Sequence, residues 1–239
     1  MGLLGRMRRK RQATKAANAA AAKEVEAALA ARKAREARDA AFARAKASDA
    51  GTPAEAVMDE LGPGAVEALC EAIGIAPASA DALVMCHTMG VARMGYISKT
   101  EFEAGMVSLA ASSLDDLAVA ISRRKAQLAA STSGFAALYE YAFAFAKEEP
   151  RKKIVDLASA CAMLELVMSM RSESDRKRTD AFVAFLTSDS CTARALNHDQ
   201  WSSWLDFIDE IAPDLSNWED DGPYPVLFSE YVAHASRGE

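Results

Sequence analysis

Apolar side chains recur every three or four residues along most of the chain, which is the spacing of one face of an α-helix. Before residue 130 this spacing predicts helices over residues 57–61, 65–73, 78–89 and 99–109, with a fifth that begins near Ser113. After a Ser/Thr/Gly break at 131–134 it predicts helices over 135–147, 152–170, 174–186, 199–211 and 225–235. No stretch alternates with period two, so we expect strands only as a short pairing in a loop. The pattern therefore predicts an all-α fold.

Residues 13–47 are dominated by alanine with Lys, Arg and Glu between, and they contain no Gly or Pro, so their helix propensity is high. Their large apolar side chains form no heptad seam and are Val25, Leu29 and Phe42. We expect a single exposed helix that adds little to the core. A Ser/Asp/Gly/Pro break at 48–53 then divides the chain into a basic extension, helical or flexible, over 1–50 and a domain over 51–239.

Residues 90–101 have the outline of an EF-hand calcium loop, with Gly95 at position six, Ile97 at position eight and Glu101 at position twelve. Calcium needs oxygen ligands from positions one, three and five, and these positions hold Gly90, Ala92 and Met94. We therefore expect no calcium or other metal here. Gly95 can still make the sharp turn, and Ile97 can still anchor a short pairing between loops.

The charge is unevenly distributed along the chain. The net charge is −6, yet residues 1–50 carry 13 Lys or Arg against 5 Asp or Glu, whereas residues 199–239 carry 10 acids and the single base Arg237. The two ends should therefore meet different partners. The four cysteines are scattered, without a CxxC pair or a His at metal-ligand spacing, which favours a reducing compartment, the cytoplasm or the nucleus. No apolar run is long enough to span a bilayer.

The basic run at residues 6–11 leaves several interpretations open. Gly2 after Met1 suggests N-myristoylation, but Arg6 occupies the position where that motif requires Ser or Thr. The other interpretations are nuclear targeting, nucleic-acid contact and an ordinary solvated tail. The solvated tail is favoured.

Motifs of catalysis are missing from the sequence. His87, His198 and His234 have no neighbouring Cys, Ser or carboxylate in the pattern of a nucleophile and its base, and there is no glycine-rich phosphate loop. Cys70 and Cys86 lie at apolar helical positions, where free cysteine usually packs as a small hydrophobe. We expect a non-catalytic protein without cofactors and without a small-molecule substrate, although a site built from distant residues would leave no such motif.

Residues 199–232 combine aromatic and acidic side chains. Trp201, Trp204, Leu205 and Ile208 share one helical face, which predicts a core face. Asp199 lies near the helix start, where the dipole favours an acid and where it can cap the helix, and Pro225 can begin the last helix at its first position. An acidic loop beside aromatic residues suits the binding of a basic protein surface, but a solvated rim over a packed core explains the composition equally well.

These motifs resemble the defective-in-cullin-neddylation family (DCN-like proteins) and its DCUN or PONY domain. The C-terminal signature is Trp201, Leu205-Asp206-Phe207, residues 214–218, residues 222–227 and residues 230–232. Upstream, residues 98–106 and 143–147 also fit, and the likeness runs in one order over about residues 54–235.

The resemblance implies an all-α, DCUN/PONY-like fold with a degenerate EF-hand-like first half (51–130) packed on a cullin-docking second half (131–239), preceded here by the Ala-rich basic helix. It also implies a scaffold-type co-ligase that brings a cullin C-terminal domain together with the N-terminally acetylated conjugating enzyme of the neddylation pathway. The RING subunit of cullin ligases is a further implied partner. The reacting cysteine would belong to the conjugating enzyme and the acceptor lysine to the cullin.

The resemblance implies two sites. The family's cullin-binding patch has two acids flanking a small residue, and the matching positions are Asp199, Pro223 and Ser229. Only Asp199 keeps the family's residue type. Glu230, next to Ser229, could supply the second charge. A hydrophobic pocket would receive the acetylated N-terminus of the conjugating enzyme as a helix in a groove. Its matching positions are Ala82, Met85, Cys86, Met89, Ile97, Phe145 and Leu166.

A different class of function remains as the alternative. The basic N-terminal helix could lead a non-enzymatic protein that binds nucleic acid or a membrane surface, in which case deletion of residues 1–50 would abolish function and binding would weaken steeply with salt. The C-terminal resemblance disfavours this alternative.

Overall fold

Helices make up most of the chain, and three of them directly follow a paired strand. The computed structural model describes residues 3–47 and 59–237. Within these residues the elements are α1 (Leu3–Ala47), β1 (Glu60–Leu61), α2 (Pro63–Ala72), α3 (Ala80–Met89), β2 (Ile97–Ser98), α4 (Lys99–Ser108), α5 (Leu114–Ala129), α6 (Thr132–Ala146), β3 (Ile154–Asp156), α7 (Leu157–Met168), α8 (Glu173–Thr187), β4 (Ala195–Asn197), α9 (His198–Glu210) and α10 (Val226–Ala235). The predicted all-α class is confirmed, and none of the described helices is long and apolar enough to cross a membrane.

Side-chain caps explain where most of the helices begin. A serine, Asp156 or Asn197 precedes each of the helices α3 to α9 and accepts a hydrogen bond from a backbone N–H of the first turn. Such caps satisfy donors that have no partner inside the helix. Ser113 begins α5 in this way, as the sequence predicts. Pro225 is the N-cap of α10, one position before the predicted one.

The pairing of β1 with β2 confirms the role predicted for Ile97. Leu61 lies opposite Ile97 in an antiparallel register, and both side chains are fully buried. The helix predicted over 57–61 is therefore wrong at Glu60 and Leu61, and residues 57 and 58 lie outside the described part of the chain. Its few apolar residues fit a buried strand end as well as one helical turn.

The predicted helix over 152–170 is also wrong at its start, because Ile154–Asp156 forms β3 and pairs with β4. Val155 and Leu196 lie opposite each other and are buried, so the pair contributes to the core. Asp156 then caps α7 by accepting a hydrogen bond of 3.0 Å from the backbone N–H of Ser159.

The end of α1 packs on the first half of the domain, contrary to the expectation that this helix adds little to the core. Phe42 is buried, and its ring lies 5.5 Å from that of Phe102. Asp39 and Lys99 form an ion pair of 2.8 Å beside this contact. Further from the contact, Val25 and Leu29 are exposed as predicted. The structure does not describe three features of the sequence analysis, namely Gly2, the side chains of the basic run at 6–11 and the predicted boundary between residues 50 and 51.

An aromatic cluster fills the core between α8, α9 and α10. Trp204 stacks on Phe182 at 4.1 Å between ring centroids and also contacts Phe207, Phe228 and Tyr231. Trp201, Trp204 and Ile208 are buried as predicted, whereas Leu205 is half-buried and Phe207 takes its place in the core.

All four cysteines are buried free thiols.

Candidate protein-binding sites

An apolar groove opens between α2, α3, α6 and α7. Its volume is about 260 Å³, and its lining includes five of the seven predicted pocket residues, namely Ala82, Met85, Cys86, Phe145 and Leu166. Met89 and Ile97 do not line this groove and are buried in the core behind it. Pro63, Val66, Met94 and Met163 belong to the lining but were missed from the sequence, since they come from three separate segments that only the fold brings together.

The groove is electrically neutral over most of its surface. Glu67, which is exposed, is the one charged residue among the described residues of the lining. Burial raises the pKa of the Cys70 thiol to about 11 and that of the Cys86 thiol to about 12, so both stay protonated at neutral pH. An apolar, uncharged side chain is therefore the ligand that this groove suits.

Contacts from neighbouring elements hold the wall of the groove. Tyr141 stacks on Phe145 at 5.1 Å between ring centroids and donates a hydrogen bond of 2.8 Å to the carbonyl of Val91. Lys125 of α5 reaches Asp81 of α3 at 2.7 Å. These contacts fix Phe145 and the start of α3 before any partner arrives, which lowers the cost of ordering the site on binding.

The loop that resembles an EF-hand uses its last acid for structure. Glu101 accepts hydrogen bonds from the backbone N–H groups of Ser98 at 2.7 Å and Ala92 at 3.0 Å, and it completes the capping box of α4. The described residues contain no group of three or more His, Cys, Asp or Glu side chains that could hold a metal.

We expect a calcium titration followed by calorimetry to show no binding tighter than about 1 mM, because the loop lacks the carboxylates that set calcium affinity. The matched control is a variant with Asp at positions 90, 92 and 94, which restores three oxygen ligands. Micromolar binding by the natural chain would contradict this assignment.

The predicted cullin-binding residues lie along α9 and α10. Asp199 is exposed in the first turn of α9, Pro223 is exposed before α10, and on α10 Ser229 is half-buried and Glu230 exposed. The cap of α9 is Asn197, not Asp199, because the Asn197 side chain accepts a hydrogen bond of 2.8 Å from the N–H of Gln200. Asp199 is thereby left available to a partner.

Two buried hydrogen bonds fix the Asp199 end of α9 on α6. The Tyr139 hydroxyl donates to the carbonyl of Trp201 at 2.7 Å, and the Trp201 indole N–H donates to the carbonyl of Tyr139 at 3.1 Å. The two rings also stack at 4.8 Å. The first turn of α9 therefore has a defined position relative to α6.

Arg178, which the sequence analysis did not single out, and Asn217 of the C-terminal signature hold the other end of α9. Arg178 donates to the carbonyls of Phe207, Ile208 and Ile211, and so satisfies acceptors that the helix end leaves free. Asn217 donates to the carbonyl of Glu210 at 2.9 Å and accepts from the N–H of Ala212 at 2.7 Å.

Pro223 belongs to this far end of the helix. The hydroxyl of its neighbour Tyr224 donates to Glu210 at 2.9 Å, whereas Asp199 is in the first turn. The two turns are roughly 16 Å apart at 1.5 Å per residue. A partner that contacts both Asp199 and Pro223 must therefore follow most of the length of α9.

Comparison with known proteins agrees with the sequence motifs. Residues 116–234 match a family model described as cullin binding. DCN1-like protein 2 of Dictyostelium discoideum is 37% identical over 184 residues, which are 75% of this chain and 66% of that protein. DCN1-like protein 4 of Drosophila melanogaster is 33% identical over 174 residues, 73% of this chain and 67% of that protein. DCN1-like protein 5 of Bos taurus is 32% identical over 176 residues, 72% of this chain and 70% of that protein. The chain thus spans about two thirds of the length of these relatives.

Proposed function

Because the chain belongs to the DCN1-like family of proteins, we propose that it is a non-catalytic scaffold that binds a cullin and the neddylation conjugating enzyme at the same time. The observation that carries the proposal is the cullin-binding match over residues 116–234, which contains Asp199, Pro223, Ser229 and Glu230. In this role the protein promotes transfer of the ubiquitin-like modifier from the conjugating enzyme to the cullin.

The cullin docks on the surface formed by α9 and α10. Asp199 supplies an exposed carboxylate on a helix whose position is fixed by Tyr139 and Trp201. Ser229 replaces the second acid of the family patch, and the exposed Glu230 stands next to it. Charge at such an exposed rim mainly sets the association rate and the register of the complex.

The conjugating enzyme docks in the groove between α2, α3, α6 and α7. Its acetylated N-terminus lacks the positive charge of a free amine, so an apolar and largely neutral groove accepts it without burying an unpaired charge. The buried thiols of Cys70 and Cys86 keep this neutrality at physiological pH.

Rate enhancement then comes from proximity alone. Tethering the cullin and the conjugating enzyme to one rigid body raises the effective concentration of the acceptor lysine at the loaded cysteine. The raised pKa values of Cys70, Cys86 and Cys161 leave few thiolates at neutral pH, so these side chains are poor candidates for carrying the modifier themselves.

Asp199→Lys is expected to weaken binding to a cullin C-terminal domain about tenfold, because it replaces an attraction at the rim by a repulsion. Surface-immobilised cullin domain and purified chain would give the affinity. The matched control is Asp115→Lys, which reverses an exposed acid in the first turn of α5.

Reconstituted neddylation with and without the chain tests the scaffold role itself. The wild-type chain should raise the rate of cullin modification, and Asp199→Lys should reduce this gain. A wild-type chain that binds no cullin, or an Asp199→Lys variant that binds as tightly as wild type, contradicts the proposal.

A further inference from the structure

A basic groove lies directly beside Asp199, although the C-terminal part of the chain is otherwise acidic. Its volume is about 680 Å³, and the end of α6, the loop before β3 and the start of α9 form its walls. Four cations line it, namely Lys147, Arg151, Lys152 and Lys153, together with two acids, Glu140 and Asp199. The surface around Asp199 therefore carries both signs of charge.

The pairing of β3 with β4 fixes the cations next to Asp199. Ile154 lies opposite Asn197 in this pairing. Lys153 directly precedes Ile154, and Asp199 follows Asn197 by two residues. Within the loop, the Lys152 backbone N–H donates to the Glu149 carbonyl at 3.0 Å, and the Lys147 amine donates to the Pro150 carbonyl at 3.1 Å. The basic loop is thus held by its own hydrogen bonds, and β3 joins its end to the strand that precedes the helix carrying Asp199.

Two of the four cations have no partner within the described part of the chain. Lys152 forms ion pairs with Glu148 and Glu149, and Lys147 is engaged with the loop carbonyl. Arg151 and Lys153 are exposed and make no side-chain hydrogen bond or ion pair with a described residue.

The two acids of the groove also differ in whether a described residue already binds them. Glu140 accepts a hydrogen bond of 3.2 Å from Ser202, and its other carboxylate oxygen lies 2.5 Å from the Nε2 atom of His198. Asp199 makes no side-chain contact of this kind with a described residue and is exposed. The groove charges left for a partner are therefore the Asp199 carboxylate and the cations of Arg151 and Lys153.

We propose that Arg151 and Lys153 form a second, basic half of the cullin-docking surface and bind an acidic segment of the cullin next to the basic group that meets Asp199. This inference rests on the proposed function. It follows from charge complementarity, since a purely basic partner face would be repelled by the two free cations as it approached Asp199. The chain would therefore select cullins whose docking face carries both signs of charge.

Charge reversal of the two free cations tests the inference. In titration calorimetry against a cullin C-terminal domain, Arg151→Glu combined with Lys153→Glu should weaken binding about tenfold relative to wild type. The matched control combines Arg123→Glu on α5 with Lys177→Glu on α8, which changes the net charge equally and leaves the groove untouched. The control should bind the cullin domain as wild type does.

A cross-link gives a second and independent readout. A carbodiimide joins a lysine amine to a carboxylate without a spacer, so the complex should yield a link between Lys153 and an Asp or Glu of the cullin. Unchanged affinity of the groove variant, or links from Lys153 only to residues of its own chain, overturns this inference while wild-type binding keeps the scaffold proposal intact. Absence of wild-type binding to the cullin domain overturns both.

Discussion

Trp204→Ala is expected to lower the free energy of unfolding by about 4 kcal/mol, since truncation of a buried tryptophan removes its contacts and leaves a cavity. Trp204 is fully buried and stacks on Phe182 at 4.1 Å with an interplanar angle of 6°. It also contacts Phe207, Phe228 and Tyr231, so one truncation loosens α8, α9 and α10 together. Urea denaturation followed by circular dichroism at the helical band measures the effect.

Phenylalanine substitutions provide the controls for this truncation. The Trp204 indole N–H is buried and has no hydrogen-bond partner among the described residues. Trp204→Phe keeps a ring and removes this donor, and should cost less than about 1.5 kcal/mol. Trp201→Phe should cost more than Trp204→Phe, because the Trp201 N–H donates to the Tyr139 carbonyl. A Trp204→Ala variant that unfolds at the same urea concentration as wild type would contradict the assigned role of the aromatic cluster.

The helices after α1 were predictable from sequence because they have two or more turns of apolar spacing and most have a side-chain cap, whereas α1 was predictable from its alanine content. Among the strands, only the pairing at Ile97 was predicted, from the EF-hand outline of its loop, since two or three residues are too few to show a period of two. Ile154–Asp156 continues directly into the apolar pattern of α7, and only its long-range pairing with Ala195–Asn197 distinguishes it from a first helical turn. The choice between Leu205 and Phe207 as a core residue likewise depends on α10, whose Phe228 lies 5.4 Å from the Phe207 ring.

The two candidate sites differ in how visible they are in the sequence. The apolar groove was predicted through family resemblance, and five of its residues do meet in one cavity. The basic groove was missed because Lys147, Arg151 and Lys153 are interspersed with Glu148 and Glu149, a pattern typical of a solvated loop. Only the register between Ile154 and Asn197 reveals that this loop lies against Asp199.

A single charged substitution should weaken binding more in the apolar groove than in the basic groove. Leu166 is half-buried at the groove, so a polar side chain there can reach water in the free protein and the fold should tolerate it. When a partner fills the groove, the same side chain loses its water. An ionised carboxylate enclosed in this way costs several kcal/mol, and none of the described residues that line the groove is a cation that could pair with it.

We therefore expect Leu166→Glu to weaken binding of an acetylated N-terminal peptide of the conjugating enzyme about 100-fold. Fluorescence polarisation of a labelled peptide measures the affinity, and reconstituted neddylation should lose most of its stimulation in parallel. The unacetylated peptide should bind more weakly to the wild-type chain, because its free amine is charged and has to leave water.

Val119→Glu is the matched control, since Val119 is a 61% exposed aliphatic residue on α5 that does not line the groove. It should bind the peptide as wild type does, and both variants should unfold at similar urea concentrations. If Leu166→Glu folds and binds the acetylated peptide with wild-type affinity, the conjugating enzyme docks elsewhere on the protein. Cullin binding by that variant should stay unchanged in either case, because Asp199 and Arg151 do not line the apolar groove.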